Sequence, residues 1–272
     1  MIRRRLSVLG AAAAAALVLA GCSTSSPSGS EPATSAAATT LQEIQEAGVI
    51  TVGTEGTYRP FSFHENGTGD LTGYDVEIVN AVADKLGVDV QFEETQWDAI
   101  FAGLDAGRFD VIANQVSINE ERQAKYDFSD PYTVSTGVVV VKSDNNDISS
   151  LADLEGKTSA QSLTSNFYEL AKGAGAKVEA VEGWAQAVSL LEQGRVDATV
   201  NDKLTYLDYQ ATNDNQNIKV AAETDEKTQS AFAFQKGSDD LVEAFNTALE
   251  ELRADGTLAE ISEKYFGADV SK

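Results

Sequence analysis

The stretch "WDAIFAGLDAGRFDVIAN", residues 97 to 114, recurs 87 positions later as "WAQAVSLLEQGRVDATVN", residues 184 to 201. Trp97 aligns with Trp184, Leu104 with Leu191, Gly107-Arg108 with Gly194-Arg195, Asp110 with Asp197 and Asn114 with Asn201. Each copy reads as a helix ended by a glycine, which takes the left-handed cap without a Cβ penalty, and then a strand. Part of this agreement is common to any helix-to-strand turn. The identities at one fixed offset nevertheless predict two similar α/β lobes rather than a single large sheet.

The chain around the repeat has the same alternation. "VITVGT" (49 to 54) and "VDVQFE" (88 to 93) read as strands. "YDVEIVNAVADKLG" (74 to 87) places Val76, Val79, Ala83 and Leu86 on one helical face and stops at Gly87. The fold class is therefore α/β. Two lobes that face each other create a cleft, and ligands of open α/β sheets sit beyond the carboxyl ends of the strands. "FDVIAN" ends just before "QVSINEER", and "VDATVN" ends just before Asp202. The offset thus points Arg122 and Asp202 at one gap, a cation and an anion as a zwitterion requires. Taken alone, Arg122 follows Glu120 and Glu121 and also reads as part of a solvated charged face.

The chain has 272 residues, is 42% hydrophobic and carries a formal charge of -23, so it can bury a sizeable core. That acidity argues against nucleic acid as a partner, because phosphate backbones are bound through excess Lys and Arg. At the N-terminus Arg3, Arg4 and Arg5 precede the 15-residue apolar run "LSVLGAAAAAALVLA", and "LAGC" closes the segment at Cys22. A membrane span needs about 20 apolar residues, so the run is short for one. It is similar to a bacterial lipoprotein signal, which implies removal of residues 1 to 21 and lipidation of Cys22. Removal deletes three arginines and leaves 17 basic against 43 acidic side chains, a formal -26. Cys22 is the only cysteine, which rules out a disulfide within the monomer and a multi-cysteine metal site. Residues 22 to 40, rich in Ser, Thr and Ala, read as a flexible tether. These features place the body on the extracellular face of the cell membrane.

The stretches "GTEGTYRPFSF", "LTGYDVEIVNAVADKLG", "SINEERQAKYDFSDPY", "GRVDATVND" and "DGTLAEISEKYFGADV" occur in that order over residues 41 to 269. In them the chain resembles the polar amino-acid branch of the type 2 periplasmic binding proteins, the solute-capturing components of ABC importers. "NQVSINEERQAKYDFSDPYTVS" and "KYFGADVSK" are most similar to cystine-binding members. The resemblance implies a first lobe of residues 41–136 and 232–272 and a second lobe of residues 137–231. It also implies two hinge strands, "GVVVV" (137 to 141) and "QSAFAFQ" (229 to 235), and a ligand cleft between the lobes.

The resemblance implies that Arg122 clamps the ligand's α-carboxylate, a role suited to a planar guanidinium with paired donors. Asp202 is the expected partner of the α-ammonium group, with a helix N-cap as its alternative role. Gln115 and Ser117 would present groups to the ligand's ends, and Gln115 reads equally as a turn residue. In "SLTSN" (162 to 166), Thr164, Ser165 and Asn166 open a helix whose N–H groups suit a carboxylate. The family's usual Gly-Thr is replaced there by Thr164-Ser165, which leaves the donor open. Tyr58, Phe61 and Trp97 resemble the aromatic wall of the pocket, with core packing as the alternative for each. Trp184 reads as packing, and His64, the only histidine, as a surface-loop residue.

No Ser/His/Asp spacing or His/Cys cluster is present, so no enzyme, cofactor or metal is expected. A dehydratase on the same fold, acting on prephenate or arogenate, and a surface lipoprotein without a transport role are the alternatives. The expected partners are a polar amino acid, cystine or cysteine above all, the importer's membrane subunits, and the membrane through the lipid. A monomer is expected.

Overall fold

The computed structural model describes residues 37–213 and 216–272. The expectations for the signal segment, for Cys22 and for most of the tether lie outside the described residues.

Helix α1 (Leu41–Ala47) begins with a capping box. The Thr40 hydroxyl accepts from Glu43 N, and the Glu43 carboxylate accepts from Thr40 N. The chain then forms β1 (Val49–Thr54), β2 (Thr57–Tyr58), β3 (Ser62–His64), β4 (Leu71–Thr72), α2 (Tyr74–Leu86), β5 (Asp89–Glu94), α3 (Trp97–Asp105) and β6 (Val111–Ser117). The short α4 (Glu120–Gln123) and β7 (Tyr126–Phe128) lead into β8 (Thr133–Lys142). After it come β9 (Thr158–Gln161), α5 (Asn166–Gly173), β10 (Lys177–Ala180), α6 (Trp184–Glu192), β11 (Ala198–Asp202), α7 (Lys203–Thr212), β12 (Ile218–Gln235), α8 (Asp239–Ala254) and α9 (Thr257–Phe266).

The main sheet has the order β10-β9-β11-β8-β12-β6-β1-β5, with β7 paired on β12. The outer strands of each half pair in parallel, β1 with β5 and β6 at one end and β9 with β10 and β11 at the other. In the middle, β8 and β12 pair antiparallel and run through both halves. The expected separation into two sheets is therefore not complete. Two α/β halves are present, but these two long strands join them into one hydrogen-bonded path. The β8/β12 ladder is irregular between Glu223 and Lys227, opposite Val138 and Thr136, at the seam of the halves.

The cores are separate even though the sheet is continuous. Among the described residues they form four clusters; the first is built on Ile50, Val52, Ile78, Val82, Phe232, Phe234 and Phe245, the second on Val138, Val140, Ala160, Leu191 and Val196, the third on Ile100, Leu104, Phe109 and Ile112, and the fourth on Val139, Val141, Leu154 and Phe167. Each fully buried aliphatic or aromatic side chain contributes roughly 1.5–3 kcal/mol. On α2, Val76, Val79 and Ala83 are buried and Leu86 is half-buried, which follows the predicted face.

The repeat has the same hydrogen bonds in both copies. After α3, Gly107 N donates to Leu104 O and Arg108 N to Gly103 O; after α6, Gly194 N donates to Leu191 O and Arg195 N to Leu190 O. Gly107 and Gly194 have φ of +67° and +69°, the left-handed caps the sequence predicts. Asp110 and Asp197 then pin the neighbouring strand in the same way, each accepting from a threonine N–H at 2.8 Å, Thr51 and Thr158 respectively. Phe109 fills the space beside Gly53, where a Cβ would lie 2.5 Å from its ring.

Among the described residues no helix is long and apolar enough to cross a membrane.

Candidate functional site

The carboxyl ends of β1, β5, β6, β9 and β11 open onto a cavity of about 510 Å³ between the two halves. Its aromatic lining comes from Tyr58 and Trp97 on one side and Phe167 and Trp184 on the other. Among the described residues lining it, the charged groups are the carboxylates of Glu55, Glu94 and Glu182. Burial pushes the Glu55 carboxyl up to about 7, aided by the nearby Asp98 and Glu182 and opposed by a hydrogen bond from Asn114.

Arg122 sits on α4, whose N-cap Asn119 accepts from Arg122 N at 2.8 Å. Its side chain turns inward and is 8% exposed. Nη1 donates to Ser117 O at 3.0 Å in one half and Nη2 to Thr164 O at 3.1 Å in the other. The guanidinium carbon lies 5.3 Å from the ring centres of Trp97 and Phe101. Burial lowers its pKa to about 10, and among the described residues no carboxylate pairs with it. The neighbouring Glu121 charge opposes that shift without an ion-pair contact, and a buried cation held by carbonyl dipoles and ring faces is a ready partner for an anion. The guanidinium packs against Trp97, which itself lines the cavity.

Asp202 ends β11 and caps α7. Its Oδ1 accepts from Leu204 N at 2.8 Å and from Ser135 Oγ at 2.7 Å, and burial raises the carboxyl to about 6. Beside it, Asn201 Oδ1 accepts from the Tyr58 hydroxyl at 3.1 Å, and Thr205 Oγ1 donates to that hydroxyl at 3.2 Å. Burial, then the charge of Asp202, holds the Tyr58 hydroxyl well above its usual range.

The other sequence-derived residues fall into two groups. Tyr58, Trp97, Gln115, Ser165 and Asn166 line the cavity. Ser165 also caps α5, accepting from Tyr168 N at 3.0 Å. Arg122, Ser117, Thr164 and Asp202 stand around it, tied to one another or to helix ends; Thr164 donates from N and Oγ1 to Asp98 Oδ1. Phe61 is fully buried in the first core, its ring 5.1 Å from that of Tyr58, and supports the wall from behind. Trp184 packs edge-on against Tyr209 at 5.7 Å and lines the cavity as well.

Sequence reasoning passed over the three glutamates and Asn114. Asn114 Oδ1 accepts from Glu55 N at 2.9 Å, and its Nδ2 donates to Glu55 Oε2 at 2.7 Å. The identity of Asn114 with Asn201 at the end of the repeat was the available signal. His64 ends β3 at the entry to the surface turn that follows, and its ring is partnered there. It is half-buried, with Nδ1 2.7 Å from Gly69 O and Nε2 3.0 Å from the Glu94 carboxylate. Both ring nitrogens face acceptors, so the geometry calls for the imidazolium. The Glu94 contact, then the Gly69 carbonyl, raise its pKa.

A two-lobed α/β body with a lined cavity at the strand ends, between halves joined by two long strands, defines a binding protein of the type 2 architecture. The chain belongs to the bacterial extracellular solute-binding proteins, family 3, which it matches over residues 50–268. It is 59% identical over 229 residues to the L-cystine-binding protein TcyA of Bacillus subtilis, covering 84% of this chain and 85% of that one. The L-cystine solute receptor of Neisseria gonorrhoeae, in its unliganded open conformation, is 52% identical with a TM-score of 0.58, covering 85% of this chain and 98% of that one. An ancestral arginine-binding protein bound to arginine is 41% identical with a TM-score of 0.75, covering 81% and 99%.

Proposed function

We propose that this protein captures L-cystine between its lobes and delivers it to the membrane subunits of an amino-acid ABC importer. The observation that carries the reading is the cavity itself, lined from both halves and edged by carboxylates, with a buried arginine that has no ion-pair partner among the described residues packed against its wall. Cystine carries two ammonium and two carboxylate groups. Arg122 takes one carboxylate and Asp202 the neighbouring ammonium, with Tyr58 and Trp97 over the ligand's body. The glutamates suit the second ammonium group. A volume of about 510 Å³ lies within the roughly 300–1,000 Å³ of small-molecule sites.

In this reading the lobes comprise residues 41–136 with 232–272, and 137–231, and they stand closed. Tyr58 to Asn201, Arg59 to Asp208 at 3.3 Å, and Thr164 to Asp98 all cross the gap. The higher TM-score to the arginine-bound protein than to the open cystine receptor, against the order of identity, supports the same reading. Binding is then capture by closure, and a lipid on Cys22 keeps the monomeric body at the extracellular face of the membrane.

Calorimetry of the protein with L-cystine, L-cysteine, L-arginine and L-histidine tests the proposal. L-cystine is expected to bind one to one and most tightly. A tighter fit for another of these ligands replaces cystine as the substrate. Binding of none of them, with turnover of prephenate or arogenate, turns the reading to a dehydratase. Binding only to cells or matrix turns it to a surface lipoprotein.

A further inference from the structure

Strand β6 carries a bulge at the cavity floor. Ser117 and Val116 pair with Ser230 and Ala231, and Ile112 and Val111 pair with Ala233 and Phe234. Ala113, Asn114 and Gln115 therefore stand against the single residue Phe232. Gln115 absorbs the excess by taking φ of +50°, a left-handed conformation that a residue with a Cβ adopts only under strain. A bulged N–H has lost its ladder partner and, when buried, must find another acceptor.

The acceptor is Asp75, in the first turn of α2 and 40 residues away along the chain. Its carboxylate is fully buried. Oδ2 accepts from Gln115 N at 2.7 Å, and Oδ1 accepts from Gln115 Nε2 at 2.6 Å. The same Nε2 also donates to Thr133 Oγ1 at 3.0 Å, so the Gln115 amide is anchored to both α2 and β8. The backbone turned by this bulge presents Asn114 to the loop after β1, where its amide bonds both the N–H and the carboxylate of Glu55.

We propose that Asp75 is a positioning residue of the binding site: its carboxylate holds Gln115 in the bulged conformation and, through Asn114, sets where Glu55 stands on the cavity wall. The proposal rests on the reading of this cavity as the ligand site. Burial raises the Asp75 carboxyl to about 7, against the pull of both Gln115 bonds and of the nearby Tyr132 hydroxyl. The pair of bonds from Gln115 offsets part of the cost of burying it.

The test uses the full chain and two variants that keep the branching of the side chain at Cγ. Asp75→Asn keeps an oxygen for Gln115 N–H, and the Gln115 amide can reverse to meet the new NH₂; Asp75→Leu fills the space without an acceptor. Asp75→Asn is expected to keep L-cystine affinity within about threefold of wild type, and Asp75→Leu to weaken it about tenfold or more while circular dichroism shows a folded protein, since it leaves a buried N–H without an acceptor. Equal affinities for the two variants overturn the proposal. A second readout needs neither a variant nor a ligand: hydrogen exchange of the wild-type Gln115 amide is expected to be as slow as that of Val116. Rapid exchange there shows that Asp75 does not hold the bulge and overturns the proposal. Slow exchange in a protein that binds no amino acid leaves Asp75's hold on Gln115 in place and overturns the ligand reading instead.

Discussion

The Tyr58 hydroxyl and the Asn201 side chain meet at 3.1 Å across the cavity, 143 residues apart in the chain. Asn201 is the repeat counterpart of Asn114, and Asn114 holds Glu55, three residues before Tyr58. The two equivalent asparagines thus grip one segment, from the end of β1 to β2, Asn114 from its own half and Asn201 from the facing half. Tyr58→Phe removes the bond to Asn201 and the one accepted from Thr205. Each net hydrogen bond contributes about 1 kcal/mol, so with both lost ligand affinity is expected to fall about 30-fold. Calorimetry giving an unchanged dissociation constant removes this contact from closure.

Arg122→Ala is expected to weaken amino-acid binding by at least ~2 kcal/mol, about 30-fold, because truncating one partner of a buried charge pair costs that or more. Arg122→Lys is not a rescue, since an ammonium cannot serve Ser117 O, Thr164 O and a carboxylate with the planar fork. Wild-type affinity in Arg122→Ala takes the arginine out of the site.

Asp202→Asn separates charge from capping. The folded carboxyl, at about 6, lies above its ordinary 3.8, so the native state holds the proton more tightly than the unfolded chain. Stability therefore falls as pH rises between those values, and the cost of the buried charge is fully present above the higher one. At ~1.4 kcal/mol per pKa unit that cost is of order 2–3 kcal/mol. Asparagine caps a helix as well as aspartate and has no charge to desolvate. Thermal melts of the unliganded variant are expected to exceed wild type at pH 8 and to converge with it near pH 3, while L-cystine affinity drops. A variant less stable than wild type at pH 8 contradicts the assignment.

Gly107→Ala and Gly194→Ala test the repeat itself. Both glycines have positive φ, and at Gly194 the Cβ position is open, so strain rather than collision sets the cost there. Each substitution is expected to destabilise by about 1 kcal/mol. The two sites lie in separate halves, and the double variant should show the sum to within about 0.5 kcal/mol in urea titrations. A strongly unequal pair shows that the turns are not equivalent.

The local signals in the sequence were sufficient for the skeleton. Glycine after an apolar face ended α2, α3 and α6 where expected, because a left-handed cap depends on the residue at that position and little else. The repeat predicted two halves, and its aspartates and asparagines recur in equivalent hydrogen bonds or on the same segment. The surroundings of Arg122, including its contact with Thr164, 42 residues away, were not legible. Neither were the pairing of His64 with Glu94, 30 residues on, and the hold of Asp75 on Gln115.

What the sequence determined by itself was the order and kind of the elements, the doubling of the α/β unit, and the set of residue types gathered near the strand ends. The tertiary structure alone decided that the two expected hinge strands extend as β8 and β12 into one continuous sheet, which polar groups line the cavity, and which stand behind it. Helix and strand periodicity, like capping, acts over a few neighbouring residues. Burial, desolvation and hydrogen-bond partnership arise only when segments tens of residues apart are brought together.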